Sequence, residues 1–160
     1  MTSRAFASSV VEPGDFLNSH IVGGDLTYSA YAFPNLPLKL ELDGSVARRF
    51  GDGNSWDFGF QPVLRWTWFP WNQWVYTNLR VGPLGVDYAT AVTPWELHWA
   101  GNDHGSHWLN LFTVEIDLRP SEVSPFEAYV GWRHRSGMFG VWDGTYGGST
   151  YEVAGLRYHF

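Results

Sequence analysis

His134 and Ser136 stand two residues apart in the stretch Glu127-Ala-Tyr-Val-Gly-Trp-Arg-His134-Arg-Ser136. A histidine beside a serine is the nucleophile–base pair of acyl transfer: the imidazole takes the hydroxyl proton as the oxygen attacks an ester. Such a pair works only if both side chains leave the backbone on the same side. In an extended strand they do, about 7 Å apart, because successive side chains alternate between faces. Spacing alone does not separate this pair from a histidine and a serine resting among polar groups at a strand end. The elements that carry them must decide.

Those elements read as strands. Helical periodicity is nearly absent, while 18 Gly and 9 Pro punctuate the 160 residues into alternating intervals. Eight strands are expected, at about 20–32, 37–50, 55–69, 73–88, 91–101, 107–119, 125–140 and 147–160, the fifth ambiguous. Their apolar faces include Leu38, Leu40, Leu42 and Val46; Phe58, Phe60, Leu64, Trp66 and Trp68; and Phe126, Ala128, Val130 and Trp132. The opposite faces collect Lys39, Arg65, Arg80, Arg133, Arg135 and Arg157 against Glu41, Asp43, Glu115, Asp117 and Glu127. Charges of nearly balanced sign on one face suit a narrow barrel lumen filled by paired side chains, with apolar residues outside. A soluble lipocalin-like barrel would invert the pattern, and periodicity does not distinguish the two. The 18% aromatic content, with ten Trp, and the closing strand Tyr151–Phe160 that ends on an aromatic favour the membrane form.

The expected fold is therefore all-β, an eight-stranded antiparallel transmembrane barrel of the outer-membrane type. Residues 1–18 are expected as an N-terminal tail and 19–160 as one barrel domain. The start Arg4-Ala5-Phe6-Ala7-Ser8 reads either as a leader remnant ending in an A-x-A site or as plain tail. With an even strand count, both termini face the periplasm. The turn between the third and fourth strands, with Trp66, Trp68, Phe69, Trp71 and Trp74, is then expected outside the cell, and the end of the seventh strand in the outer leaflet.

Counting from Phe126, His134 and Ser136 fall on the lipid-facing side of the seventh strand. Other candidates carry less. His98, Asp103, His104 and His107 could ligate zinc, but their spacing follows no strong motif. Asp52-Gly-Asn-Ser reads as a hairpin turn and not a calcium loop. Gly82-Pro-Leu-Gly85 reads as a strand irregularity and not a phosphate loop, since no helix follows. A net charge of −6 argues against nucleic-acid binding, and with no cysteine there is no disulfide or thiolate chemistry. No cofactor is expected.

The segment from Glu127 to Ser136, followed by Gly155-Leu-Arg-Tyr-His-Phe160, resembles the C-terminal signature of the outer-membrane lipid A 3-O-deacylases, the PagL-type acyloxyacyl hydrolases. Gln61-Pro-Val-Leu-Arg65 and Arg80-Val-Gly-Pro-Leu-Gly85 also look similar. The resemblance implies an eight-stranded barrel that hydrolyses the ester-linked acyl chain at position 3 of lipid A without a metal. It implies lipopolysaccharide and outer-membrane lipids as partners, His134 as base and Ser136 as nucleophile. The family's Asn after the serine is Gly137 here, whose backbone N–H could serve an oxyanion. The family's acid would fall near Ser149 or Thr150. The nearest carboxylate, Glu152, shares the face of Ala154, Leu156, Tyr158 and Phe160, and is expected to meet His134 across the strand pair; Asp143 is a weaker candidate. Two alternatives stand beside the esterase: a barrel of the same build without catalysis, and the soluble carrier.

Overall fold

The computed structural model describes residues 2–5, 8–9, 19–51, 53–93, 96–97 and 105–160, with backbone alone for 2–5 and 8–9. The strands are β1 (Thr2–Ala5), β2 (Ser8–Ser9), β3 (Ser19–Ala32), β4 (Leu38–Gly51), β5 (Ser55–Trp66), β6 (Tyr76–Ala89), β7 (Trp108–Arg119), β8 (Phe126–Ser136) and β9 (Gly148–His159). From β3 to β9 each strand pairs antiparallel with the next. β1 pairs with β3 on one side and β9 on the other, and β2 pairs with β9. The result is a nearly closed antiparallel barrel whose seven long strands follow the order of the sequence.

The alternation of each strand is that of an inverted wall. β5 shows it without interruption: Ser55, Asp57, Gly59, Gln61, Val63 and Arg65 are buried, while Trp56, Phe58, Phe60, Pro62, Leu64 and Trp66 are exposed. Phe60 is 53% exposed and Val130 56%, whereas Arg80 and Arg157 are 1% exposed. Charged groups almost never lie buried unless paired, and here the pairing is dense. In one tier Arg65 bonds Glu41 (2.9 Å), Asp117 (3.2 Å) and Glu127 (2.9 Å), and Arg80 reaches Glu41, Asp43 and Glu115. Arg157 bonds Glu115 (2.7 Å), Asp117 (2.9 Å) and Glu127 (2.7 Å). Towards the opposite end, Arg49, Arg133 and Arg135 meet Asp57, Asp87 and Glu96. The lumen charges expected from the sequence, Lys39 apart, are thus brought together in ion pairs, and Arg49, Asp57, Asp87 and Glu96 join them.

Three features differ from the sequence reading. The fifth expected strand, 91–101, is not a strand in its described part. Leu97 N donates to Thr93 O, and Thr93 N donates to Glu96 Oε2 at 3.1 Å. This is a helix start: the Glu96 side chain reaches back to the backbone N–H of Thr93, the carboxylate half of a capping box. Glu96 hangs from it into the lumen, where burial alone would raise its carboxyl but Arg135 and Arg49 hold it below the ordinary value. Within the expected N-terminal tail, β1 and β2 instead pair at the seam.

Removing one strand from the middle also reverses the direction of every strand before it relative to the C-terminus. The turn after β5, with Trp66, Trp68, Phe69, Trp71 and Trp74, therefore lies at the same end as Phe160, not at the opposite end as expected. The register records this: Trp66 opposes Leu38, Tyr76 opposes Arg119, and Phe126 opposes Tyr158. The connections after β4, β6 and β8 share the other end. Exposed aromatic rings mark both ends, with Trp66, Trp71, Phe126 and Tyr158 at one and Phe50, Trp56, Trp108 and Tyr146 at the other.

Candidate active site

On β8, Phe126, Ala128, Val130 and Trp132 point outward and are exposed, and His134 and Ser136 continue that face, half-buried. The register sets Phe112 of β7 and Thr150 of β9 on either side of His134, and Asn110 and Gly148 on either side of Ser136. With Pro83, Met138, Phe139, Tyr146 and Gly147, these residues line an open cleft of about 540 Å³ in the outer wall.

Two local irregularities make the cleft. In β6 the pairing with β7 slips between Gly82 and Gly85. Before the slip Asn78 and Arg80 point inward; after it Asp87 and Ala89 do, and Pro83 and Leu84 both face out. The slip also releases the Gly85 N–H, which donates to Asn110 Oδ1 at 3.2 Å. The connection after β8 forms the other rim. Met138 (φ 47°), Phe139 (φ 56°) and Asp143 (φ 52°) hold left-handed backbone in it. Such conformations cost on the order of 1–3 kcal/mol each and cluster at functional sites. Bonds from Gly140 N to Thr145 O (3.0 Å) and from Trp142 N to Gly137 O (2.9 Å) hold the loop in this shape.

His134 Nδ1 lies 2.8 Å from Thr150 Oγ1, a hydrogen bond in either tautomer. No hydrogen bond joins His134 to Ser136 among the described residues. In esterases that bond commonly tightens only once substrate is bound. Thr150, not Glu152, stands opposite the histidine; Glu152 is exposed and opposes Trp132, a diagonal neighbour of His134 on the same face. Asp143 is absent from the cleft lining. The Gly137 N–H, expected to be free for an oxyanion, is already donated to Gly147 O at 3.1 Å. A Cβ at Gly137 would come within 1.8 Å of Thr145 O, so this loop accepts no side chain there. His107 Nδ1 sits 2.6 Å from Ala89 O, a role in holding the barrel mouth. His98, Asp103 and His104 lie outside the described residues, and no metal-ligand cluster occurs among the described ones.

The crystal structure of the outer membrane enzyme PagL superposes on this chain with a TM-score of 0.70, over 100% of both chains, at 14% sequence identity. The fold is similar to that of PagL. At that identity the likeness to PagL is one of barrel architecture. No family model matches the sequence, and no curated protein does.

Sequence reasoning missed Asn110 as a member of the site, and reached Thr150 only as one of two positions where the family's acid would fall. Neither belongs to a local motif. Each reaches the cleft only through the register of a neighbouring strand, and that register is fixed by the lengths of the β7–β8 and β8–β9 hairpins.

Proposed function

We propose that this protein is an outer-membrane esterase that removes the 3-O-linked acyl chain of lipid A, with Ser136 as nucleophile and His134 as general base. The observation that carries the reading is the placement of His134 and Ser136 together in a cleft on the outward, apolar face of a PagL-like barrel. A water-soluble esterase would put such a pair in a pocket facing solvent. Here the surroundings are Phe112, Phe139, Tyr146 and Pro83, a surface matched to acyl chains. The exposed band and the aromatic rings at both ends support burial of the wall in a bilayer. Long connections follow β6 and β8 and short ones follow β3 and β7, which supports the cleft end as the external one. On this reading β1 and β2 together act as the eighth strand.

In the proposed reaction the Ser136 hydroxyl attacks the acyl carbonyl carbon as His134 Nε2 takes its proton. The carbonyl π electrons move to oxygen. Collapse breaks the ester bond and releases the sugar hydroxyl, protonated by His134. Water, activated by the same imidazole, then frees the fatty acid and regenerates Ser136. This requires the tautomer in which Nδ1–H donates to Thr150 Oγ1, leaving Nε2 as the lone pair. Thr150 then holds the ring without adding charge.

Thr150→Val removes that bond at nearly constant volume. A net hydrogen bond of this kind contributes about 0.5–1.5 kcal/mol, so kcat is expected to fall roughly two- to thirteenfold with KM unchanged, measured on lipopolysaccharide in detergent. The same missing carboxylate favours one second reading, a barrel of this build that does no chemistry. Release of 3-hydroxy fatty acid from purified lipopolysaccharide decides between them. The esterase reading expects release by the intact protein and none by Ser136→Ala; no release by the intact protein would leave the non-catalytic barrel.

A further inference from the structure

We propose that Asn110 supplies the hydrogen bond that stabilises the oxyanion formed when Ser136 attacks. The inference rests on the esterase reading and adds a residue to it. When the new C–O bond forms, the electron pair of the carbonyl bond becomes a negative charge on oxygen. In an apolar cleft that charge needs a donor already in place.

The backbone does not offer one at Gly137, whose N–H is bonded to Gly147 O. The residue directly opposite Ser136 on β7 is Asn110. It shares the outward face with Phe112, lines the same cleft and is only 3% exposed. A buried amide on the apolar side of a barrel wall calls for a reason, because burying polar groups costs free energy unless they are bonded. Half of the reason is visible. The slip in β6 frees the Gly85 N–H, and Asn110 Oδ1 accepts it at 3.2 Å.

That bond also fixes the orientation of the amide. An N–H can only donate, so the atom facing Gly85 must be the oxygen, and the NH₂ group must take the other side. Its two hydrogens are the remaining donors. The backbone slip, the amide and the serine are thus linked: the Gly85 N–H holds Asn110 Oδ1, and Asn110 stands opposite Ser136 with its Nδ2 hydrogens left to donate. A donor carried on a strand and held from behind is pre-oriented, which is what makes such donors effective.

The test uses the full-length protein folded in detergent, with lipopolysaccharide as substrate. Asn110→Asp keeps the acceptor for Gly85 and the side-chain volume but replaces the donor with an acceptor. Asn110→Leu keeps the approximate shape and suits a lipid-facing wall. Heat-modifiable migration in gels reports folding of each. For both, kcat is expected to fall about 10²–10³-fold with KM little changed, the loss typical of one oxyanion donor. Wild-type kcat in either folded variant would overturn the proposal while leaving the esterase intact. Absence of release by the wild-type protein would instead remove the esterase reading itself, and the role of Asn110 with it.

Discussion

Replacing Ser136 with alanine, or His134 with alanine, is expected to reduce fatty-acid release to near background, a loss on the order of 10⁶ in kcat where a serine–histidine pair acts as a unit. The double variant is expected to be no worse than either single one. That non-additivity is the informative part. Two independent contributors to lipid binding would multiply their effects. A nucleophile and its base fail together, because the serine oxygen is a poor nucleophile without a proton acceptor and the imidazole has nothing to activate without the serine. The site makes the prediction specific. His134 and Ser136 share an outward face, and the ring is held from the Nδ1 side by Thr150 at 2.8 Å. Single-turnover release from lipopolysaccharide by the two single variants and the double measures it. A multiplicative loss would contradict the assignment of both residues.

The second large effect concerns the lumen. Arg157 is buried and bonds Glu115, Asp117 and Glu127, with its guanidinium 4.6 Å from the centre of the Tyr129 ring. Arg157→Met keeps much of the volume and removes the charge. Glu115, Asp117 and Glu127, and Asp25 at 3.7 Å, then lose their shared partner in a largely buried lumen. Breaking a buried pair by removing one member typically costs 3–5 kcal/mol, because the remaining charge is left uncompensated. Arg65 still reaches Asp117 and Glu127, and Arg80 still reaches Glu115, so the loss should stay near the lower end. Urea-induced unfolding in lipid vesicles is the measurement, with a clear fall in midpoint expected. A neutral outcome would mean that the lumen charges contribute little to the stability of the barrel.

The two predictions rest on parts of the sequence that differ in legibility. The lumen was readable because the side-chain period of a strand is two. The alternation in β5 from Ser55 to Trp66 survives intact in the structure, and so does the outward face of β8. His134 and Ser136 were legible for the same reason: they lie on one strand, and their relation needs no knowledge of any other. Relations between strands were not legible. The hairpin joining β8 to β9 sets Thr150 opposite His134. The expected Glu152 partner would need a connection two residues longer. In β6 the slip at Gly82–Gly85 changes which parity faces in, and a pattern read as regular alternation misses it. The stretch 91–101 departs from a strand for a different cause. Thr93-Pro-Trp-Glu96 carries a local helix-start signal in a chain whose other segments alternate. The aromatic turn after β5 changes ends with it, since direction along a barrel is a count of strands.

A lipid-facing cleft requires a wall with hydrocarbon outside and ion pairs within. The most direct test is quenching of tryptophan fluorescence by lipids brominated along their acyl chains, after folding of the protein into vesicles. With Trp56, Trp66, Trp108 and Trp132 all exposed on the outer wall, strong quenching is expected, greatest for bromines near the headgroup where the rings concentrate. A protein that stays monodisperse without detergent, and whose tryptophans are untouched by brominated chains, would contradict the inverted wall and leave the cleft without a lipid to cut.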